Sequence, residues 1–161
     1  LEKGVIDAAE WCCPKPDSVF GFQKVLKHYY LQGLHQVVVN ADMYINGDVW
    51  RSLTHAQQNA MQIAANASLM QSMAYRIYEN GKALKDLTEN HGVQLHDTPS
   101  DYFTEYMAAT AKLYAKLNSE NKFFAKVYGS MKEFADIAVP YWAGSQMTNA
   151  KLGMAYVNKN K

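Results

Sequence analysis

Residues 54–92 read THAQQNAMQIAANASLMQSMAYRIYENGKALKDLTENHG, and no proline interrupts them. Ala60, Ile63, Ala64, Ala67, Met70, Ala74, Ile77 and Tyr78 recur at spacings of three and four, which puts one apolar stripe along a helix. Thr54 followed by Gln57 forms a capping box at its start, and His91 and Gly92 end it. Gly81 is a point of weakness or bending in between. At about 1.5 Å per residue such a helix is roughly 50 Å long, wider than a compact domain of this size. It is therefore expected to span more than one lobe.

The chain before this helix reads differently from the chain after it. Val5 to Trp11 is expected to be a short strand, and Pro14, Pro16 and Asp17 to stop regular structure. In DSVFGFQKVL, Asp17 and Ser18 favour a short helix start. His28 to Leu31 is a second β-rich piece, and QVVVNADMYI, Gln36 to Ile45, is the strongest strand candidate because its valines are β-branched and continuous. Asn46, Gly47 and Asp48 break it. Beyond the long helix, Val93 to His96 is a candidate short strand, and Thr98, Pro99 and Asp101 start a helix. Ser119 is expected to open a shorter helix through Tyr128, Ser130 and Glu133 to form another capping box, and Pro140 to kink or end the helix they start. Tyr141 to Val157 then forms a terminal amphipathic helix, with a frayed tail from Asn158. Three segments result: a strand-rich 1–53, a connecting helix 54–92 and a helical 93–161. They are not expected to be independent domains.

Composition narrows the function. The chain has 161 residues, 48% of them apolar, and sixteen Lys and Arg against fifteen Asp and Glu give a net charge of +1. Only Arg51 and Arg76 carry a guanidinium, which argues against a nucleic-acid partner. No apolar run approaches the roughly 20 residues of a membrane helix. Residue 1 is Leu and LEKGVID reads as a start in mid-element, so a missing N-terminal part is expected. The adjacent Cys12 and Cys13 are poorly placed for an ordinary bridge, and His28, His35, His55, His91 and His96 form no zinc pattern. With no GxSxG, GxGxxG or Walker loop, and no paired catalytic carboxylates, nothing points to an enzyme.

Two stretches carry binding chemistry. In VIDAAEW followed by CCPKPD, Glu10 offers hard oxygens to a cation, and Trp11 offers an apolar face and a backbone carbonyl. An anionic ligand beside Glu10 is repelled unless a metal ion sits between the two charges. The other reading makes Glu10 a solvated carboxylate and Trp11 a core aromatic. In HYYLQGLHQ, residues 28–36, Tyr29, Tyr30 and His35 can present donors to a carboxylate, or the tyrosines can simply pack inward. Trp50 and the eight methionines read as core.

The order of these pieces resembles the C-terminal half of the solute-binding proteins of TRAP transporters, the tripartite ATP-independent periplasmic uptake systems. GVIDAAEW, a proline-containing loop, GFQKVLKHYY, GLH, a strand ending at Asn46, the capped long helix, GVQL and the late SMKEF segment carry the likeness. They look most like the branch that binds 2-oxo acids and related monocarboxylates. The resemblance implies an α/β, periplasmic binding protein-like fold of two lobes closing on a ligand, with this chain as the helix-rich half. It implies a sodium or calcium ion held by Glu10 and the carbonyl of Trp11 together with the ligand's oxygens. Leu34 and His35, at the GLH position, are implied as pocket residues. Further implications are a periplasmic location, delivery to membrane permease subunits, a partner N-terminal half and a homodimer through the C-terminal helix. Two departures stand out. The arginine that clamps the ligand's carboxylate belongs to the family's N-terminal half and neither Arg51 nor Arg76 sits in a matching motif, and the Cys12–Cys13 pair replaces small or apolar residues. The competing reading is a helical structural or interaction domain with no small-molecule ligand.

Overall fold

The computed structural model describes residues 1–31, 33 and 42–159. They fall into two compact units, Leu1–Ser100 and Asp101–Lys161. The strand-rich segment and the long helix both lie in the first unit, and the segment from 93 onward is divided between the two.

In the first unit, α1 (Pro14–Phe20) begins on a proline. The prolines expected to stop regular structure instead start it, three residues ahead of Asp17, because Pro14 occupies the opening position. There its missing N–H would have had no helical partner and its fixed φ is already helical. The Lys15 N–H, one of the donors a helix start leaves over, is taken by Asn80 Oδ1 at 2.9 Å. Lys15 Nζ approaches Glu79 at 3.9 Å, so the start of α1 is held by the middle of the long helix. Gly21, at φ +81°, ends α1 in the left-handed region that glycine enters without steric cost. A 3₁₀ turn, Phe22–Lys24, comes next.

Val5 to Trp11 forms no strand. A strand needs a ladder partner, none pairs with this stretch among the described residues, and Val5 and Ile6 are exposed. β1 (His28–Tyr30) and β2 (Gln94–His96) do form, as a parallel pair with His28 opposite Gln94 and Tyr30 opposite His96. The Gln36–Ile45 strand lies mostly outside the described residues, and residues 42–45 are not in a strand. α2 (Gly47–Ser52) starts on Asn46, whose Oδ1 accepts from the Asp48 and Val49 N–H groups.

α3 (His55–Asn90) is the long helix expected from residues 54–92. Thr54 Oγ1 accepts from the Gln57 N–H and Gln57 Oε1 accepts from the Thr54 N–H, so the capping box is formed on both sides. Its 36 residues give a length of about 54 Å. Near its C-terminal end Ala83 and Leu87 join Val93 and the α1 residues Pro14 and Asp17 in the buried interior. Leu87, 2% exposed, is the most enclosed large side chain among the described residues. The chain turns at Gly92, φ +65°, and the Val93 N–H returns to the Leu87 carbonyl at 3.1 Å.

In the second unit, α4 (Ser100–Glu120) and α5 (Lys122–Lys159) meet at Asn121. Asn121 Oδ1 accepts from the Phe123 and Phe124 N–H groups, each at 3.0 Å, and so caps α5. The expected starts at Ser119 and Ser130 are not used. Ser119 lies inside α4, donating its hydroxyl to the Lys116 carbonyl, and Ser130 lies inside α5, where each N–H already has a helical acceptor. α5 also continues through Pro140 instead of ending there. The loss of one N–H and the ring's crowding act on a single turn of a 38-residue helix. Tyr114 of α4 meets Phe124 and Tyr128 of α5 edge-on, with ring centroids 5.8 and 5.1 Å apart.

The apolar stripe of α3 is exposed at Ile63, Met70, Ile77 and Tyr78. The reading of Trp50 and the methionines as core is likewise corrected: Trp50 and Met61 are half-buried, and Met43, Met70, Met73, Met107, Met131, Met147 and Met154 are exposed. Periodicity marks a face suited to cover. It does not name what covers it.

Candidate functional site

The irregular segment that ends at Cys13 delivers Trp11 to a cleft of about 60 Å³ in the first unit. Its apolar lining includes Trp11, Phe22, Leu26, Leu87 and Val93. Trp11, 56% exposed, meets Phe20 of α1 edge-on at 5.2 Å, and Phe20 stacks on Phe22 at 6.3 Å. Trp11 is therefore neither a free surface residue nor a core aromatic: it is braced by one aromatic ring and open to solvent. Glu10, immediately before it, is exposed.

Three polar side chains line the same cleft. Asp17 is 7% exposed, and the Tyr29 hydroxyl donates to its Oδ2 at 2.6 Å. Gln23 donates from Nε2 to the Ser18 carbonyl at 3.2 Å. Among the described residues, that leaves two buried acceptors without a hydrogen-bond donor, Asp17 Oδ1 and Gln23 Oε1. Burial, and then the hydrogen bond to Asp17, push the Tyr29 phenol well above its ordinary range, so it stays a donor. Tyr29, by sequence a donor for a ligand, spends its hydroxyl on Asp17 instead. Sequence reasoning misses Asp17 and Gln23 as cleft residues. The only signal is an acidic residue in the first turn of a proline-led helix, which marks a helix start more readily than a cleft.

Cys12 and Cys13 are both free thiols, as their adjacency suggests, and their sulfurs lie 2.9 Å apart. The hydrogen bond between them, reinforced by desolvation and by the charge on Cys13, pushes the Cys12 thiol up to about 11. The positive charge of Arg76 on α3 pulls the Cys12 thiol weakly in the opposite direction. Arg51, the other guanidinium, is paired with Asp48. Leu34 and His35 lie outside the described residues.

A calcium ion takes six to eight oxygens, so the donor set at the corner can be checked. The Glu10 carboxylate and the Trp11 carbonyl are hard oxygen donors and fit such an ion in kind. They cannot complete its shell, and no cluster of three or more His, Cys, Asp or Glu suited to a metal occurs among the described residues. Any ion held here relies on oxygens from a ligand or from elsewhere.

Comparison with known proteins places this corner in context. Residues 1–121 match the family model DctP, bacterial extracellular solute-binding protein, family 7. A monocarboxylate 2-oxoacid-binding periplasmic protein of Nostoc sp. strain PCC 7120 is 29% identical over 138 residues, covering 83% of this chain and 36% of that protein. A TRAP transporter solute-binding protein from Bordetella bronchiseptica RB50 superposes with a TM-score of 0.80 at 24% identity, covering 99% of this chain and 47% of the other. That crystal structure is of a mixed-occupancy dimer, with copurified calcium and picolinate in the bound active site and the other site apo. The chain thus spans about a third of the curated relative and about half of the solved one. With the solved structure it shares a helix-rich fold with few strands, and on the match over residues 1–121 the chain belongs to the DctP family of bacterial extracellular solute-binding proteins.

Proposed function

We propose that the chain forms part of the periplasmic solute-binding subunit of a TRAP transporter, and that this subunit captures a small 2-oxo or 2-hydroxy acid and passes it to membrane permease subunits without chemical turnover. The observation that carries this reading is the family match across the segment holding the Glu10–Trp11 corner and its cleft. The relative named for monocarboxylate 2-oxoacids supports the ligand class, and the neighbour with calcium and picolinate supports a carboxylate bound alongside a metal ion.

In this reading the Glu10 carboxylate and the Trp11 carbonyl hold a sodium or calcium ion. The ion supplies the positive charge that lets an anionic ligand sit beside Glu10. Trp11, braced by Phe20, gives the ligand an apolar surface that excludes water. Leu34 and His35 contribute to the pocket wall. A second lobe, supplied by an N-terminal half, closes over the ligand. A second copy packs against the Tyr141–Val157 stretch of α5, where Tyr141, Trp142, Leu152 and Met154 are exposed.

The test is calorimetric titration of pyruvate and lactate into the two-lobed protein containing these residues, with calcium, with sodium alone and after chelation. Saturable binding that needs one of the two ions is expected, with Glu10→Gln weakening it more than tenfold, or about 1.4 kcal/mol. Absence of heat under all conditions, or an unchanged affinity in Glu10→Gln, overturns the metal-bridged site.

A further inference from the structure

Within the first unit stands a pair of histidines that the solute-binding reading does not use. His28 opens β1 and His96 closes β2, 68 residues later. Parallel pairing sets His28 opposite Gln94 and Tyr30 opposite His96, and strand side chains alternate with period two. His28, Tyr30 and His96 therefore share one face of the two-stranded ribbon. Across it, His28 Nδ1 and His96 Nε2 lie 2.9 Å apart, with ring centroids at 5.1 Å. The Tyr30 ring stacks on His96 at 5.2 Å and 28°, which restricts that imidazole. The backbone beneath is anchored by the Gln94 N–H donating to the Lys27 carbonyl at 2.7 Å.

We infer that these two imidazoles form a binding site for a late first-row transition-metal dication, copper(II) foremost, with nickel(II) and zinc(II) weaker. Imidazole nitrogen suits these ions, and copper heads the affinity order among them. With metal–nitrogen bonds of about 2.0 Å, two ligands in cis positions of a square-planar ion lie about 2.8 Å apart, and two in a tetrahedron about 3.3 Å. The observed 2.9 Å is the length of the hydrogen bond that joins the rings without a metal, and it lies close enough to both values that a small turn of the rings opens the pair to an ion. In the metal-free pair one ring N–H donates to the other ring's lone pair. With the ring protons on His28 Nε2 and His96 Nδ1, both lone pairs are released to the metal and no proton has to leave a neutral pair. His28 is exposed and His96 half-buried, so the ion has a path from solvent. No third His, Cys, Asp or Glu completes a cluster among the described residues. The remaining positions belong to water or an added donor. Calcium, which prefers oxygen, does not compete here.

The test titrates copper(II) into metal-free protein carrying Cys12→Ser and Cys13→Ser, with excess glycine present to suppress binding at scattered single ligands. One equivalent should bind with an electron paramagnetic resonance spectrum showing coupling to two imidazole nitrogens. His28→Gln and His96→Gln should each weaken binding at least tenfold, and His91→Gln should leave it unchanged. Circular dichroism checks each variant's fold, and the exposed His28→Gln decides the matter if His96→Gln is unfolded. Unchanged affinity in His28→Gln, or coupling to fewer than two imidazoles, overturns the site. Neither outcome depends on whether a carboxylate binds at Glu10.

Discussion

Asp17 is a carboxylate 7% exposed, with one oxygen satisfied and one left without a donor among the described residues. Among the described residues its one side-chain hydrogen bond comes from Tyr29, so Tyr29→Phe removes the donor they give this buried carboxylate. The expected cost is about 1–3 kcal/mol, read as a lower urea midpoint with an unchanged slope. A pH dependence comes with the raised phenol. Because the fold favours the protonated Tyr29, its contribution is complete below the ordinary value of 10.0 and is lost as pH rises above it. Unfolding titrations between pH 8 and 11 should therefore show wild-type stability falling more steeply above pH 10 than that of Tyr29→Phe. An equal decline in both would show that Tyr29 is not the group responsible. None of this is legible in the sequence, because residues 17 and 29 share no helical or strand period and meet only once α1 and β1 are placed.

Elements are legible where the signal is local and repeated. α3 is readable from end to end because a capping box, an unbroken apolar stripe and a Gly-terminated end all lie within or beside its own residues. Val5 to Trp11 misleads because strand residues without a ladder partner have no strand to join. Ser130 and Glu133 mislead for the complementary reason, since capping chemistry works only where N–H groups lack helical acceptors, and α5 supplies them. Pro140 gives this a quantitative test. Its substitution by alanine restores a helical N–H and removes the ring's crowding against the preceding turn, with Asp136 four residues back already tied to Lys132 at 2.6 Å. Pro140→Ala should raise helical circular dichroism and stabilise the second unit by about 1–3 kcal/mol. A loss of helicity would mean that the proline itself is required for α5 to pack.

For the molecule as a whole, order along the chain is more informative than any single residue. The succession from GVIDAAEW to GVQL points to the family, and the match over residues 1–121 agrees. The polar content of the cleft is hidden, since it depends on α1, β1 and α3 converging from distant parts of the chain. Division into two units carries its own expectation. Leu87 belongs to the interior of the first unit alone, so Leu87→Ala should cost about 2–5 kcal/mol there. Amide hydrogen exchange should accelerate across Leu1–Ser100 while the Tyr114–Phe124–Tyr128 cluster of the second unit keeps its protection. Uniform acceleration over both would show a single cooperative block.

The parallel pairing of β1 with β2 has a kinetic consequence. Two three-residue strands on either side of a 36-residue helix cannot meet until a long stretch of chain has been brought into order, and closing it as flexible coil is slow. A helix grows in about a microsecond, far faster than distant strands find each other. Once α3 is formed it fixes where the end leading into β2 lies and, through Asn80 and Lys15, where α1 lies. The long helix thus acts as an assembly jig: weakening it slows the arrival of the native state as well as hastening its departure.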